Sequence, residues 1–587
     1  MGEAMKQIDV PVLIVGSGPT GLSAALFLGR YGIRSLIVTR APWVADTPRA
    51  HITNQRTMEI MRDVGLEAAC IAQATPNALM GNMLWVTSLA GEELGRLMSW
   101  GTHPDRIADY GKASPSTMCD LPQHLFEPIL LDEACRSGAT VRWDHELIDF
   151  SQDASGVTAR VLDRRLGETF VVRAQYMIGA DGARSRVVEQ LGLPMEGSMG
   201  LGTSANVLFD ADLTKYIAHR PGVLILTCAP GRESWSGHGV LRMIRPWHQW
   251  VAQFLELAQG DQEVELSDAE ALDIVQTMIG DRTIPIRIRG MNRWLINRMV
   301  AKRYSLGRVF CAGDAVHRHP PSNGLGSNTC VADAYNLAWK LALVLQGKAS
   351  PALLETYSEE RQPVGKRVVE RAIKSLADNR DMMATLGLRA GQTPAERAAQ
   401  FSLLKSATPE GEARRAAWRE SVRSKQYTVS ALGVELNQTY RSDAIVPDGT
   451  PEPAFELDAE LHYHATTWPG SRLPHCWLES GRQRVSTHDL CGKERFTLLT
   501  GVGGEPWEAA AREISAEIGA PIAVHRIGVG LSVSDVYDDW SRLSGVTDAG
   551  CVLVRPDMHV AWRSERLPKA PQQALRETMA RILALTT

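Results

Sequence analysis

Residues 9–40, DVPVLIVGSGPTGLSAALFLGRYGIRSLIVTR, constrain the fold more than any other part of the chain. A β-rich apolar run, VPVLIV, leads into a turn carrying Gly16, Gly18 and Gly21; a helically spaced stretch, LSAALFLGRYG, follows and gives way to a second apolar run, SLIV. Strand, glycine turn, helix and strand in register predict a βαβ unit at a parallel sheet, shaped for a bound dinucleotide. Gly16 permits the tight turn, Gly18 lets the backbone approach a pyrophosphate, and Gly21 allows close helix-to-strand packing, while the helix N-terminus supplies amide donors and positive potential. The acidic residue that usually ends the second strand and binds the ribose is absent, because the chain reads Thr39 and Arg40 there. Ribose recognition is expected to use Thr39 or the backbone. Arg40 either joins it or is a solvated surface charge.

At 587 residues the chain is too long for one ordinary core, so two to four domains are expected. Lys plus Arg number 63 against 67 Asp plus Glu, a formal charge of -4 that gives no electrostatic reason to expect nucleic acid or an anionic membrane. A small-molecule partner is the better expectation. Nine scattered cysteines, none in C-x-x-C spacing, predict reduced thiols in a cytoplasmic protein. No segment reads as a leader or as about 18 uninterrupted apolar residues, so the reading is a soluble chain without a membrane partner.

Two further stretches carry chemistry. YMIGADGARSRV at 176–187 runs from a strand into Asp181 and Gly182, which by themselves make a turn. CAGDAVHRHPPSNGLGSN at 311–328 follows the strand-like GRVF and precedes a long stretch, NTCVADAYNLAWKLALVLQG, that reads from Asn328 as an amphipathic helix closed by Gly347. His317, His319 and Asp314 within it resemble metal ligands in type, but no further ligand set is evident and no metal is expected.

G-x-G-x-x-G, then D-G, then G-D, in that order and at these separations, resembles the FAD-dependent aromatic hydroxylases of the para-hydroxybenzoate hydroxylase type. With TPRAHITNQRTMEIMRDVGLEAAC, TMCDLPQHLFEPIL, SRLPHCWL and LVRPDMHVAWR, the resemblance narrows to their phenol hydroxylase branch and covers essentially the full length. It implies FAD as cofactor, NADPH (or NADH) as co-substrate and O2 as oxidant, with a phenol or chlorophenol hydroxylated to a catechol, in a homodimer or homotetramer. It makes Gly313 and Asp314 a flavin-ribityl clamp, lets Gly324, Gly326, Ser327 and Asn328 pass close to the flavin ring, and makes Pro320 and Pro321 a stiff wall between substrate and flavin. Asp181 joins the cofactor site, Arg49 lies near the pyrophosphate or the passing nicotinamide, and Gln123 contacts the flavin. DLPQ also reads as a capping box with Asp120 as cap and Gln123 at its third position, and Arg56 with Glu59 as a helix-face pair.

Ionising a phenol makes its ring carbon far more nucleophilic, yet an ordinary phenol has a pKa of about 10 by analogy with tyrosine. A base or a positive partner is therefore expected at the hydroxyl. By resemblance, the second residue after the arginine of RAH takes that role, which is His51, a residue chemically suited to it. The alternative is a core histidine. Arg242 and Arg245 either attract an anionic substrate or cofactor phosphates, Arg242 being the catalytic candidate, or are solvated strand-edge residues.

The resulting architecture is α/β. A Rossmann-like FAD-binding domain comprises 1–80, 111–195 and 285–355, and an antiparallel-sheet substrate domain comprises 81–110 and 196–284. A helical, solvated region and linker follow over 356–445, in which TPAERAAQ and TPEGEARRAAWRESVRSK read as helices capped at their threonines. A C-terminal thioredoxin-like domain without C-x-x-C, 455–587, has a structural or dimer-forming role as its default. The W-x-W-x-I-P signature of flavin halogenases is absent. The remaining alternatives are a reductase on the same FAD scaffold, an aromatic hydroxylase acting on another phenolic substrate, and a flavin-bound interaction protein.

Overall fold

The computed structural model describes residues 7–228, 235–256, 266–389 and 392–585. Strand β1 (Gln7–Val15), helix α1 (Pro19–Arg30) and strand β2 (Ser35–Val38) form the expected βαβ unit, and β1 pairs in parallel with β2. On its other side β1 pairs in parallel with the long strand β3 (Glu168–Gly179), whose last residues are the YMIG predicted to be a strand. The eight-stranded sheet runs Ser305–Leu306, Val309–Cys311, β3, β1, β2, Thr140–Arg142, with an antiparallel hairpin, His145–Gln152 and Val157–Asp163, attached to β3. β1 and β2 are apolar and buried where they pair, as a strand covered on both faces must be.

The substrate-side sheet has seven strands in the order Arg287–Leu295, Thr203–Asp210, Gln249–Glu256, Trp235–Arg245, Leu224–Cys228, Asn82–Val86, Glu93–Met98. All its pairings are antiparallel except Leu224–Cys228 with Asn82–Val86. Strand Arg287–Leu295 pairs with Thr203–Asp210, so the expected boundary at 284 stops short of this sheet's edge strand. Residues 257–265, within the predicted strand-rich segment, lie outside the described residues.

Two helical expectations need correction. The helix after the 311–328 loop, here Gly326–Leu345, begins two residues earlier than read and is buried almost all round, from Asn328 to Leu343. Its polar residues are buried inside the protein because other elements supply their partners, which a periodicity argument cannot register. Helices Pro394–Lys405 and Pro409–Ser424 carry the expected Thr393 and Thr408 caps, but the second is not simply solvated. Trp418 is buried, donates its Nε1 proton to Leu94 O at 2.6 Å and packs edge-on against Trp85.

The C-terminal unit is a mixed four-stranded sheet, in the order Ile522–Arg526, Phe496–Thr500, Cys551–Val554, Val560–Ser564, with its first pair parallel and the rest antiparallel. One helix, Glu505–Ile518, joins the parallel pair, and another, Pro571–Ile582, follows the hairpin. That topology is compatible with the thioredoxin-like expectation. Its hairpin turn reaches into the nucleotide-binding half. Arg555, fully buried, donates twice to Glu360 at 2.6 and 2.9 Å and also holds Asp557, while Lys340 and Asn336 of the Gly326–Leu345 helix close the network at 2.8 and 2.7 Å from Glu360. Removing one member of such a cluster strands a buried charge. Arg555→Met is expected to lower stability by about 3–5 kcal/mol, read as a fall in the thermal midpoint.

Arg56 and Glu59 belong to a second buried cluster rather than to an exposed helix face. Glu59 Oε1 accepts from Arg472 at 2.8 Å and Arg56 donates to Asp557 O at 2.8 Å, so both bind the C-terminal unit. In the substrate-side core Glu435 is buried, its Oε2 has no hydrogen-bond partner among the described residues, and burial pushes its carboxyl up to about 8. A folded-state value above the unfolded one gives stability that is full below about pH 4.5 and is lost as pH rises through 8. Glu435→Gln is therefore expected to melt higher than the parent at pH 8, by an amount of order 3 kcal/mol, with a much smaller difference at pH 5.

Candidate active site

The glycine turn has the steric character its sequence predicts. Gly16 has φ +106°, and a Cβ there would lie 2.2 Å from Ala180 O; one on Gly21 would lie 2.0 Å from Gly16 O. Gly18 differs: the nearest atom to its would-be Cβ is Glu127 Oε1 at 4.0 Å, so the turn opens onto free space there. α1 starts at this point with no side-chain cap and no acidic residue in its first turn. Uncapped amides facing open space beside a Cβ-free backbone suit an anionic pyrophosphate.

Thr39 is buried, and its Oγ1 accepts from Ser17 Oγ at 3.1 Å and Ala41 N at 3.3 Å, leaving its own proton to donate. Arg40 and Arg49 are exposed. The Arg49 carbonyl accepts from Gln123 N at 2.9 Å. Asp181 accepts from Ser185 Oγ at 2.5 Å, Arg186 N at 2.8 Å and Val187 N at 3.2 Å, so its carboxylate secures the D-G turn and the start of helix Arg186–Leu191.

The 311–328 loop sits between two helix N-termini. A Cβ on Gly313 would lie 2.2 Å from Thr20 Oγ1 of α1 and 2.9 Å from Cys330 Sγ in the Gly326–Leu345 helix, whose start is also uncapped and free of acidic residues. Asp314 is exposed at this junction. Beneath it, Asp333 is fully buried and accepts from Gly313 N at 3.0 Å and Arg361 Nε at 2.7 Å, with His317 Nε2 at 2.8 Å. Burial opposes that charge, but Arg361 and His317 outweigh it and hold the carboxyl below its usual range. His317 is thus a loop anchor. Pro320 is buried and Pro321 exposed; Gly324 has φ +66° and presses on Ile52, while Gly326 and Ser327 form the first turn of the helix, half-buried.

Asn328 and Gln123 depart from expectation. Asn328 Nδ2 donates to Ile52 O and Gly324 O, both at 2.7 Å, and its Oδ1 accepts from Asn54 N and Thr57 Oγ1 at 3.0 and 2.7 Å. Two donors and two acceptors occupy the side chain, which fastens the loop to helix Gln55–Asp63 and the strand before it. Gln123 opens its helix, whose N-cap is Pro122 without a side-chain cap, and its Nε2 donates to Glu127 Oε1 at 2.6 Å. There is no capping box, because Asp120 is drawn elsewhere.

Asp120 lies in the short strand Cys119–Asp120, which pairs with Ile52–Thr53 and so sits beside His51. Its Oδ2 is 2.5 Å from Arg242 Nη2, which arrives from the substrate-side strand Trp235–Arg245. Arg242 is buried, whereas Arg245 is exposed, so the two arginines separate into an interior and a surface residue. Its guanidinium is held below the usual range by burial, against the pull of Asp120. His51 Nδ1 stands 3.7 Å from Asp120 Oδ1. His51 Nδ1, Asp120 Oδ1 and Arg242 Nε are all buried without a hydrogen-bond partner among the described residues. Burial first, and Arg242 second, bring the imidazole down to about 4, so His51 is neutral at pH 7.

That value corrects the simplest form of the His51 expectation. An imidazole brought that low is a weaker proton acceptor than an ordinary histidine. Sequence reading missed Asp120 and His124 as site residues. His124 acts electrostatically on His51, and burial, then Arg245, hold its ring below the ordinary range. The only local signal for Asp120 was an acid before Leu-Pro, which reads as a cap, and its true partner lies 122 residues further on.

Residues 9–372 match the family model described as FAD binding domain, and residues 466–585 match that described as aromatic-ring hydroxylase, C-terminal. The chain is 49% identical over 587 residues to 2,4-dichlorophenol 6-monooxygenase of Delftia acidovorans, covering 100% of both chains. It is 43% identical to phenol 2-monooxygenase of Pseudomonas sp. (strain EST1001), over 98% of this chain and 93% of that one. Among solved structures it resembles the flavin-dependent monooxygenase PieE in complex with FAD and substrate, with a TM-score of 0.95 and 47% identity over 99% of this chain and 100% of that one.

Proposed function

Since the chain belongs to the family of FAD-binding aromatic-ring hydroxylases, we propose that it hydroxylates a phenol or chlorophenol at an ortho position, giving the catechol at the expense of NADPH and O2. The observation that carries the substrate reading is the His51, Asp120 and Arg242 group. It is a buried guanidinium and a neutral imidazole, with unsatisfied polar atoms, where the substrate-side sheet meets the 311–328 loop and the segment beside it.

The turn at Gly16, Gly18 and Gly21, the N-terminus of α1, and Asp314 with the start of the Gly326–Leu345 helix are the groups that would hold FAD. When bound and reduced, the flavin supplies electrophilic oxygen derived from O2. The chain's own residues prepare the nucleophile. Arg242 offers a positive partner for the phenolic oxygen, and its attraction is strong because the site is buried and little water screens it. His51 accepts the hydroxyl's hydrogen bond and then its proton. Pro320, buried within the 311–328 loop, would stiffen the wall between substrate and flavin that the resemblance assigns to it. Chlorinated phenols ionise more readily and need less of this assistance.

Helix N-termini at both ends of the proposed flavin site favour negative charge on a bound, reduced cofactor. Among the described residues no helix is long and apolar enough to cross a membrane. The deciding experiment is NADPH oxidation by the purified yellow protein, with and without a panel of phenols and chlorophenols, while catechols are followed by chromatography. Substrate-stimulated oxidation with stoichiometric catechol is the expected result. Oxidation that produces only peroxide, or none with any phenol, would favour the flavin-bound interaction protein.

A further inference from the structure

Proton transfer to His51 is opposed by most of what surrounds it. The charged and titratable groups facing it are Arg242 from the substrate-side sheet, His124 from helix Gln123–Arg136 and Asp120 from the adjoining strand. Arg242 and His124 both disfavour an imidazolium, and Arg245 exerts the same pressure on His124. Asp120 alone favours it. We propose that Asp120 is a positioning residue for hydroxylation: its Oδ1 accepts the Nδ1 proton of His51, which fixes Nε2 as the atom that takes the phenol's proton.

The geometry is specific to that role. Asp120 is 1% exposed and its Oδ2 is already anchored by Arg242, so the second oxygen is left facing one way. That oxygen and His51 Nδ1 are buried, unpartnered and 3.7 Å apart, about 1 Å beyond a hydrogen bond. Catalytic hydrogen bonds are often long before substrate binds and shorten when it does. Strand pairing of Ile52–Thr53 with Cys119–Asp120 holds the two residues in register, so closure needs only side-chain rotation. In the step itself the phenol O–H bond breaks, its proton goes to His51 Nε2, and its electron pair stays on the oxygen facing Arg242. Asp120 stays ionised throughout and stabilises the imidazolium. It does not touch substrate, and it opposes the pressure that burial and Arg242 put on the imidazole.

This inference rests on the phenol-hydroxylation reading, and the test separates the two. The FAD-loaded full chain is assayed with phenol itself and with an acidic polychlorinated phenol that is already ionised at the working pH. Asp120→Asn is expected to slow phenol turnover by about a hundredfold or more and the acidic phenol by less than about tenfold, since an amide cannot stabilise an imidazolium. Combined with His51→Gln it should cost no more than about threefold beyond His51→Gln alone, because the two act as one unit. Equal losses on both phenols, or losses that multiply in the double variant, would overturn the proposal and leave Asp120 as a counter-ion of Arg242. If Asp120→Asn alone fails to fold because Arg242 is stranded, the same comparison is made in the Arg242→Gln background, where both charges are removed together. Wild-type protein that forms no catechol from either phenol refutes the parent reading, and this inference with it, before any variant is made.

Discussion

Gly16→Ala is expected to yield a protein that purifies colourless, with its FAD affinity reduced by at least about a hundredfold, the consequence of roughly 3 kcal/mol of strain. The reason is doubly steric. At φ +106° a side chain is unfavourable, and the added carbon would lie 2.2 Å from Ala180 O and 2.7 Å from its carbonyl carbon. Both neighbours are backbone, held by the parallel pairing of Val15 with Gly179, so neither can withdraw as a flexible side chain would. The turn must therefore twist, and its amides then no longer point together at the pyrophosphate. Flavin absorbance per mole of purified protein measures the outcome, and stoichiometric FAD in the variant would refute it. Gly18→Ala is the control: no protein atom lies within 4 Å of the added carbon except Glu127 Oε1 at its limit. Any loss of FAD there reports contact with the cofactor itself.

The second large effect is expected of His51→Gln, which should cut catechol formation from a weakly acidic phenol by about 10²–10³-fold and move the pH optimum upward. Glutamine keeps the size and one hydrogen bond but takes no proton. Because His51 is brought down to about 4 by burial and by Arg242, it remains neutral from pH 5 to 9 in the free enzyme, so the parent should show no imidazole limb near neutrality. In the variant, turnover must wait for the phenol to ionise by itself and should climb tenfold per pH unit toward the phenol's own pKa of about 10. Steady-state profiles with phenol and with acidic chlorophenols check this, the latter being much less affected. A profile that keeps the parent's shape would remove His51 from the proton transfer.

The same residues mark what each level of structure decides. Local sequence was enough for the βαβ unit, because strand, glycine turn and helix each depend on interactions between near neighbours; β1, α1 and β2 fall where VPVLIV, LSAALFLG and SLIV predicted them. It was also enough for the loop at 311–328, where motif order and spacing carried the resemblance, and for the Thr393 and Thr408 caps, which act within one turn. It misjudged the helix Gly326–Leu345 as amphipathic, because periodicity assumes a solvent face, whereas Lys340, Asn336 and Asp333 find hydrogen-bond partners in Glu360, Asp557 and Arg361.

The anchoring of Asn328 was not legible either: its side chain is shared among Ile52, Asn54, Thr57 and Gly324, three of them far away in the chain. Asp120 is the sharpest case. Its neighbours in the chain suggested a helix cap, yet a carboxylate pairs with whichever cation the fold buries beside it, and that cation is Arg242, on another sheet. The sequence by itself determined the nucleotide turn and the order of the motifs, since these rest on short-range geometry and residue type, while the class of chemistry came from the family resemblance those motifs carry. Only the tertiary structure decided which charges meet and how basic His51 is. Electrostatic energy and desolvation depend on distance and burial, and neither is written in the spacing of residues along a chain.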